Sequence, residues 1–141
     1  MSHSLETVLY TAHTRTTGGR EGAGRSSDGA LDVKLGTPGT GQPGTNPEQL
    51  FAVGWSACFI GAMQLASRKL GIRLPDDTAV DASVSLGKTA GGAHYALAAR
   101  LTVTLPGLDE AAKRQLVEEA HQTCPYSRAT RGNIDVELRV A

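Results

Sequence analysis

The chain has 141 residues, with 14 Lys plus Arg set against 14 Asp plus Glu, so its formal net charge is zero. That length suits one domain with a real core, and residues 1–141 read as a single domain. Balanced charge with no basic face excludes an electrostatic footprint for a nucleic-acid backbone and does little to oppose self-association.

The opening MSHSLE lacks the charged and apolar regions of a signal peptide, which implies a cytoplasmic protein. In a reducing cytosol a transient catalytic disulfide is expected rather than a permanent structural one. Residues 8–12 (VLYTA) predict a strand, and Gly18-Gly19-Arg20-Glu21-Gly22 a turn joining it to a second. Leu31, Val33 and Leu35 alternate, predicting a third strand over residues 30–35. Residues 36–45 (GTPGTGQPGT) form a Gly/Pro loop at the upper end of ordinary loop lengths.

Asn46-Pro47-Glu48-Gln49 is a dense helix-start signal: an N-cap, a proline for the first helical position and a residue that closes a capping box. The helix is predicted to run to about Leu70, with Gly71 as the left-handed stop, spanning roughly 37 Å. Residues 49–67 carry no charge and approach membrane-spanning length, but Gln49, Ser56, Gln64, Ser67 and two glycines favour a buried helix. Its apolar surface covers most of its circumference, which calls for cover from a second copy of the chain.

Residues 80–86 and 95–105 alternate around Gly91-Gly92, predicting a hairpin with a longer loop. Asp109 caps a helix running through Cys124 and stopped by Pro125, and residues 134–140 form a last strand. The order β-β-β-α-β-β-α-β lacks regular βαβ alternation, so the expected class is α+β, with antiparallel or mixed sheets packed on helices.

The two cysteines have unlike settings, and neither belongs to a CxxC. Cys58 shares one face of the long helix with Gly54, Gly61 and Leu65. The glycines open either a narrow slot beside the thiol or room for a closely packed neighbour, with Cys58 then a small buried hydrophobe. An apolar site raises a thiol pKa, and Cys58 lies too deep in its helix to use the N-terminal dipole. A thiolate there needs a cation from elsewhere. Arg20, on its glycine-rich turn, is the leading candidate, with Arg15, Arg25 and Arg131 as rivals. Glu48 is favoured by the helix dipole alone, and it can also orient an arginine through a bidentate pair. Ten helical residues place Glu48 about 15 Å along the axis from Cys58. An arginine held by Glu48 therefore reaches Cys58 only if the helix is interrupted, as at Gly54, or if the pair serves the Cys58 of a second subunit. Cys124, at a helix C-terminus, suits a thiol that acts second. His121 one turn earlier reads as a helix-surface histidine, not half of a metal pair.

The strings TGGREG, SSDGALDVKL, GTNPEQLFAVGWSACFIGA and CPYSRATRGNIDVEL together resemble the organic hydroperoxide resistance (Ohr) branch of the Ohr/OsmC family, over essentially the whole chain. The resemblance implies an OsmC-like α+β fold, with antiparallel or mixed sheets wrapped around long central helices in an intertwined homodimer with active sites at the interface. It implies Cys58 as the peroxidatic cysteine, Cys124 as the resolving one, and Arg20 with Glu48 as the activating pair. It further implies alkyl or fatty-acid hydroperoxides as substrates, no resident cofactor, and an external dithiol reductant, dihydrolipoamide on lipoylated proteins. Trp55 stands where the family more often has tyrosine. Phe51, Trp55 and Phe59 are the expected lining of an apolar substrate slot. Rival readings are an OsmC-type peroxidase of different substrate preference and a non-enzymatic acyl-ligand binder. A peroxide-sensing regulator is disfavoured by the neutral charge and the missing recognition helix. Neither nucleic acid nor membrane is expected as a partner.

Overall fold

The structure, a computed structural model, describes residues 3–141, so Met1 and Ser2 of the opening segment lie outside the described residues. The chain divides into two compact units, Met1–Pro47 and Glu48–Ala141.

In the first unit, β1 (Thr14–Thr17), β2 (Ala23–Ser26) and β3 (Asp32–Lys34) form an antiparallel sheet in that order. The predicted strand over residues 8–12 does not form, and the first strand begins at Thr14. Val8, Leu9 and Tyr10 are instead exposed. Their side chains suit a strand, but a strand exists only where a neighbour takes up its backbone hydrogen bonds. The third strand is likewise shorter than expected, and Leu35 instead makes an isolated parallel bridge to Thr45. That bridge closes the Gly/Pro loop: Gly36 N–H donates to the Thr45 carbonyl and Thr45 N–H to that of Lys34, both at 2.9 Å.

The β1–β2 turn holds a single 3₁₀ turn, Gly19–Glu21. Gly18 and Gly19 have φ of 74° and 60°, a region that glycine enters without a Cβ penalty. A Cβ on Gly22 would overlap the Thr17 carbonyl oxygen. The glycines around Arg20 are therefore demanded by the turn's own geometry.

The second unit carries α1 (Pro47–Leu70), which is unbroken and ends as predicted. Gly71 has φ 68°, and Ile72 N–H donates to the Ser67 carbonyl at 3.1 Å, satisfying one of the orphan carbonyls of the last turn. A long antiparallel hairpin, β4 (Ala79–Lys88) and β5 (Tyr95–Thr104), pairs from Ala79↔Thr104 to Lys88↔Tyr95. β6 (Asp135–Val140) lies parallel to β5, so this sheet is mixed, in the order β4-β5-β6. α2 (Glu110–Thr123) starts where Asp109 accepts a 2.8 Å bond from Ala112 N–H. A short helix that the sequence analysis did not predict, α3 (Pro125–Thr130), follows at once.

The core of this unit joins Trp55, Phe59 and Met63 of α1 to Leu101 and Val103 of β5, Leu105 just beyond it, and Leu116 and Val117 of α2. Burying each of the larger of these side chains stabilises the fold by about 1.5–3 kcal/mol. A 2.6 Å Lys69–Glu119 ion pair spans the solvent edge between α1 and α2. The opposite face of α1 stays uncovered within one chain: Val53 is 70% exposed, and Ala57 and Gln64 are exposed. By length and composition alone α1 could cross a membrane, yet one side of it is built into the core.

Candidate active site

The fold brings Cys58 and Cys124 together. Cys58 lies at the middle of α1, half-buried, and Cys124 is fully buried. Their sulfurs are 3.4 Å apart, with the Cys124 thiol donating to Cys58, and both thiols are free.

Cys124 owes its place to the joint between α2 and α3. Its own φ/ψ, −62° and 121°, are extended, so it ends one helix and begins the next. Its N–H donates to the Ala120 carbonyl at 2.8 Å, closing α2. Its carbonyl accepts from Arg128 N–H at 2.9 Å, opening α3. Pro125 stops α2, as expected, and then supplies the first helical position of α3, where its fixed φ and missing N–H are both acceptable. Arg131 ties the corner from outside through a 2.9 Å bond from its guanidinium to the His121 carbonyl.

The glycines flanking Cys58 have different environments. A Cβ on Gly54 would come within 3.1 Å of the Tyr126 hydroxyl, so this glycine admits the phenol ring against α1. Gly61 faces open space. Close packing thus lies one turn before Cys58 on the helix and open space about one turn after it. Leu65, on the same face, is also exposed. Of the aromatic residues expected to line a slot, Trp55 and Phe59 are fully buried in the core. Phe51 is half-buried, with ring centroids 5.5 Å from Trp55 and 5.8 Å from Tyr126.

Burial pushes the Cys58 thiol above its ordinary pKa, and the Tyr126 backbone N–H, directed at its sulfur, acts in the opposite direction. The adjoining Cys124 thiol raises it further. The amide is a contribution that the sequence reading missed, because it belongs to the unpredicted α3. The other half of that reading holds in the second unit: an apolar setting raises this thiol, so a neutral-pH nucleophile needs added positive charge.

Glu48 lies in the first turn of α1, and Arg20, half-buried, lies in the 3₁₀ turn of the first unit. Of the rival arginines, Arg25 lies 3.9 Å from Asp32 and is exposed, Arg15 is its exposed cross-strand neighbour, and Arg131 is engaged with His121. Among the described residues no group of three or more His, Cys, Asp and Glu is placed to hold a metal ion.

His121 is half-buried rather than a free surface residue, and its Nδ1 has no hydrogen-bond partner among the described residues. Burial first, and the Arg131 guanidinium second, hold its pKa below the ordinary 6.5. The folded chain therefore resists a proton that the unfolded chain accepts, so stability is lost as pH falls below the unfolded value. Thermal melts from pH 7 to pH 5.5 are expected to fall less for His121→Gln than for the parent chain. Parallel pH profiles for the two would remove His121 as the source.

Residues 39–139 match the family described as OsmC-like protein. The chain is 53% identical, over 98% of its length and 99% of the relative's, to the organic hydroperoxide resistance protein of Xanthomonas axonopodis pv. citri. The crystal structure of the organic hydroperoxide resistance protein OhrB of Bacillus subtilis is similar at a TM-score of 0.88 and 41% identity, covering 95% of this chain and all of that one. An organic hydroperoxide resistance protein from Elizabethkingia anophelis, crystallised with thiocyanate bound, is similar at a TM-score of 0.84 and 40% identity, covering 97% of this chain and 99% of that one.

Proposed function

Because the chain belongs to the OsmC-like family, in its organic hydroperoxide resistance branch, we propose that it is a cysteine-based peroxidase reducing organic hydroperoxides to alcohols. The observation that carries this reading is the pair of free thiols at 3.4 Å, one half-buried and the other fully buried.

The Cys58 thiolate attacks the distal peroxide oxygen, the O–O bond breaks, and the alkoxide takes a proton and leaves as the alcohol. Cys58 is then a sulfenic acid, oxidised by two electrons. The Cys124 sulfur attacks the Cys58 sulfur, an S–S bond replaces the S–O bond, and the displaced hydroxide leaves as water with the Cys124 proton. An external dithiol, dihydrolipoamide on a lipoylated protein, returns both cysteines to thiols while closing its own disulfide. The Tyr126 N–H supplies part of the anion's stabilisation, and Arg20, oriented by Glu48, supplies the positive charge. The exposed apolar face of α1 and the exposed apolar segment at Val8, Leu9 and Tyr10 support a homodimer with the active sites at its interface.

The test is peroxide consumption with dihydrolipoamide as electron donor, comparing cumene hydroperoxide with hydrogen peroxide. Faster turnover of the organic peroxide is expected, because an apolar approach to Cys58 favours a substrate with an apolar tail. Equal and slow consumption of both would leave the opening as a binding site for an acyl ligand. Turnover of both peroxides without faster consumption of the organic one would instead favour an OsmC-type peroxidase of different substrate preference.

A further inference from the structure

A buried hydrogen bond links the two helices that carry the thiols. Trp55 Nε1 donates to Ser127 Oγ at 3.3 Å, and the two residues are 1% and 0% exposed. Trp55 precedes Cys58 by three residues in α1, and Ser127 follows Cys124 by three in α3. Each partner therefore stands about one helical turn from its own thiol. Resting on the peroxidase reading above, we propose that Trp55 and Ser127 are positioning residues for the resolving step, their bond holding α1 and α3 in the register that presents Cys124 to Cys58.

An S–S bond requires the sulfurs, now at 3.4 Å, to close to about 2.05 Å, and it requires the attacking sulfur to lie opposite the departing S–O bond. Small rotations of the two side chains achieve that closure only while their helices keep register. Packing alone resists sliding weakly, because apolar contacts are non-directional. An indole N–H is a donor with a fixed direction, and with both partners buried its loss leaves an unsatisfied polar group with no water to replace it. Slippage along α1 is penalised by that requirement. Gly54 reinforces the arrangement, since a side chain there would press on Tyr126, the residue next to Ser127. The Arg131–His121 bond brackets the other side of Cys124.

Attack on the peroxide does not need this register, whereas condensation of the two sulfurs does. The informative quantity is thus the ratio of the resolution rate to the attack rate. Trp55 is the single tryptophan of the chain, so its emission follows oxidation of Cys58 one turn away in stopped flow. Rapid quenching with a sulfenic-acid trap and mass spectrometry gives the same rates where Trp55 is replaced. In Ser127→Ala and in Trp55→Phe, which keeps an aromatic ring, the ratio is expected to fall about tenfold or more. Trapped sulfenic acid then lasts longer, and over-oxidation to sulfinic acid sets in at lower peroxide. The double variant should be no slower to resolve than either single one, because both remove the same bond. Ser127→Thr, which keeps the hydroxyl, should recover most of the ratio.

A ratio within twofold of the parent chain in both single variants overturns the proposal. So does equal slowing of both steps, or additive losses in the double variant, since either would make the two residues part of the packing only. A parent chain that forms no sulfenic acid with an organic peroxide brings down the peroxidase reading itself. That outcome is visible before any variant is compared.

Discussion

Cys58→Ser is expected to consume no organic hydroperoxide above the uncatalysed rate, whereas Cys124→Ser should stop after a single turnover. The asymmetry follows from the order of events at the thiol pair. Only a thiolate attacks the peroxide oxygen effectively, and Cys58 is the less buried of the two cysteines. Cys124 is wholly buried, so a peroxide meets Cys58 more readily. With Cys124 replaced, the first oxygen transfer still proceeds, and the sulfenic acid then lacks the partner 3.4 Å away that would resolve it. Mass spectrometry should find one added oxygen on Cys58, and a burst of alcohol matching the enzyme present. The burst rate should rise with pH, by about tenfold per unit below the Cys58 pKa, because burial disfavours the reactive anion. Arg20→Ala should move the inflection of that profile to higher pH. Full turnover by Cys58→Ser, or a burst abolished by Cys124→Ser, would reverse the roles of the two thiols.

The long helix was legible because its punctuation is local: Pro47 opens it, Gly71 closes it, and no interior residue competes. The β4–β5 hairpin and the Asp109 cap were legible for the same reason. α3 was not, since a proline after a helix is an ordinary stop signal and the same proline is an ordinary start signal. Missing α3 hid the Tyr126 amide, which meets Cys58 only once the chain has turned at Cys124. The Trp55–Ser127 bond joins residues 72 positions apart, and no periodicity encodes such a pairing. Residues 8–12 failed in the opposite sense. Their β-propensity is real, but propensity describes how a side chain fits a pleated surface, and among the described residues of one chain no strand pairs with them. Of the candidate site residues, the thiol pair was suggested by the unlike settings of the two cysteines, whereas Arg20 and Glu48 were singled out by resemblance. Spacing alone left Arg20 among four arginines and gave Glu48 an ordinary role at a helix start.

Mixing Cys58→Ser with Arg20→Ala, the first inactive and the second slow at neutral pH, is expected to raise activity to about a quarter of the parent's after subunit exchange, as two-fold symmetry requires for a site shared between copies. Half of the dimers formed at random would be mixed. Each mixed dimer would hold one site combining an intact Cys58 with an intact Arg20 from the other copy, and one site lacking both. The geometric ground is the length of α1. Glu48 and Cys58 are separated by about 15 Å along one helix. An interruption at Gly54 would have allowed a fold-back within one chain, but α1 runs unbroken from Pro47 to Leu70. An arginine held by Glu48 is thus far from the thiol on the same helix, and an antiparallel second copy of α1 would bring the distant end of one helix to the middle of the other. The uncovered face at Val53, Ala57 and Gln64 supplies the uncharged surface that such packing needs. Subunit exchange is verified with a mass-tagged chain before activity is read. Confirmed exchange with no recovery would place the arginine and the thiol of each site in one chain, and a different cation, or a path around the helix, would then have to activate Cys58.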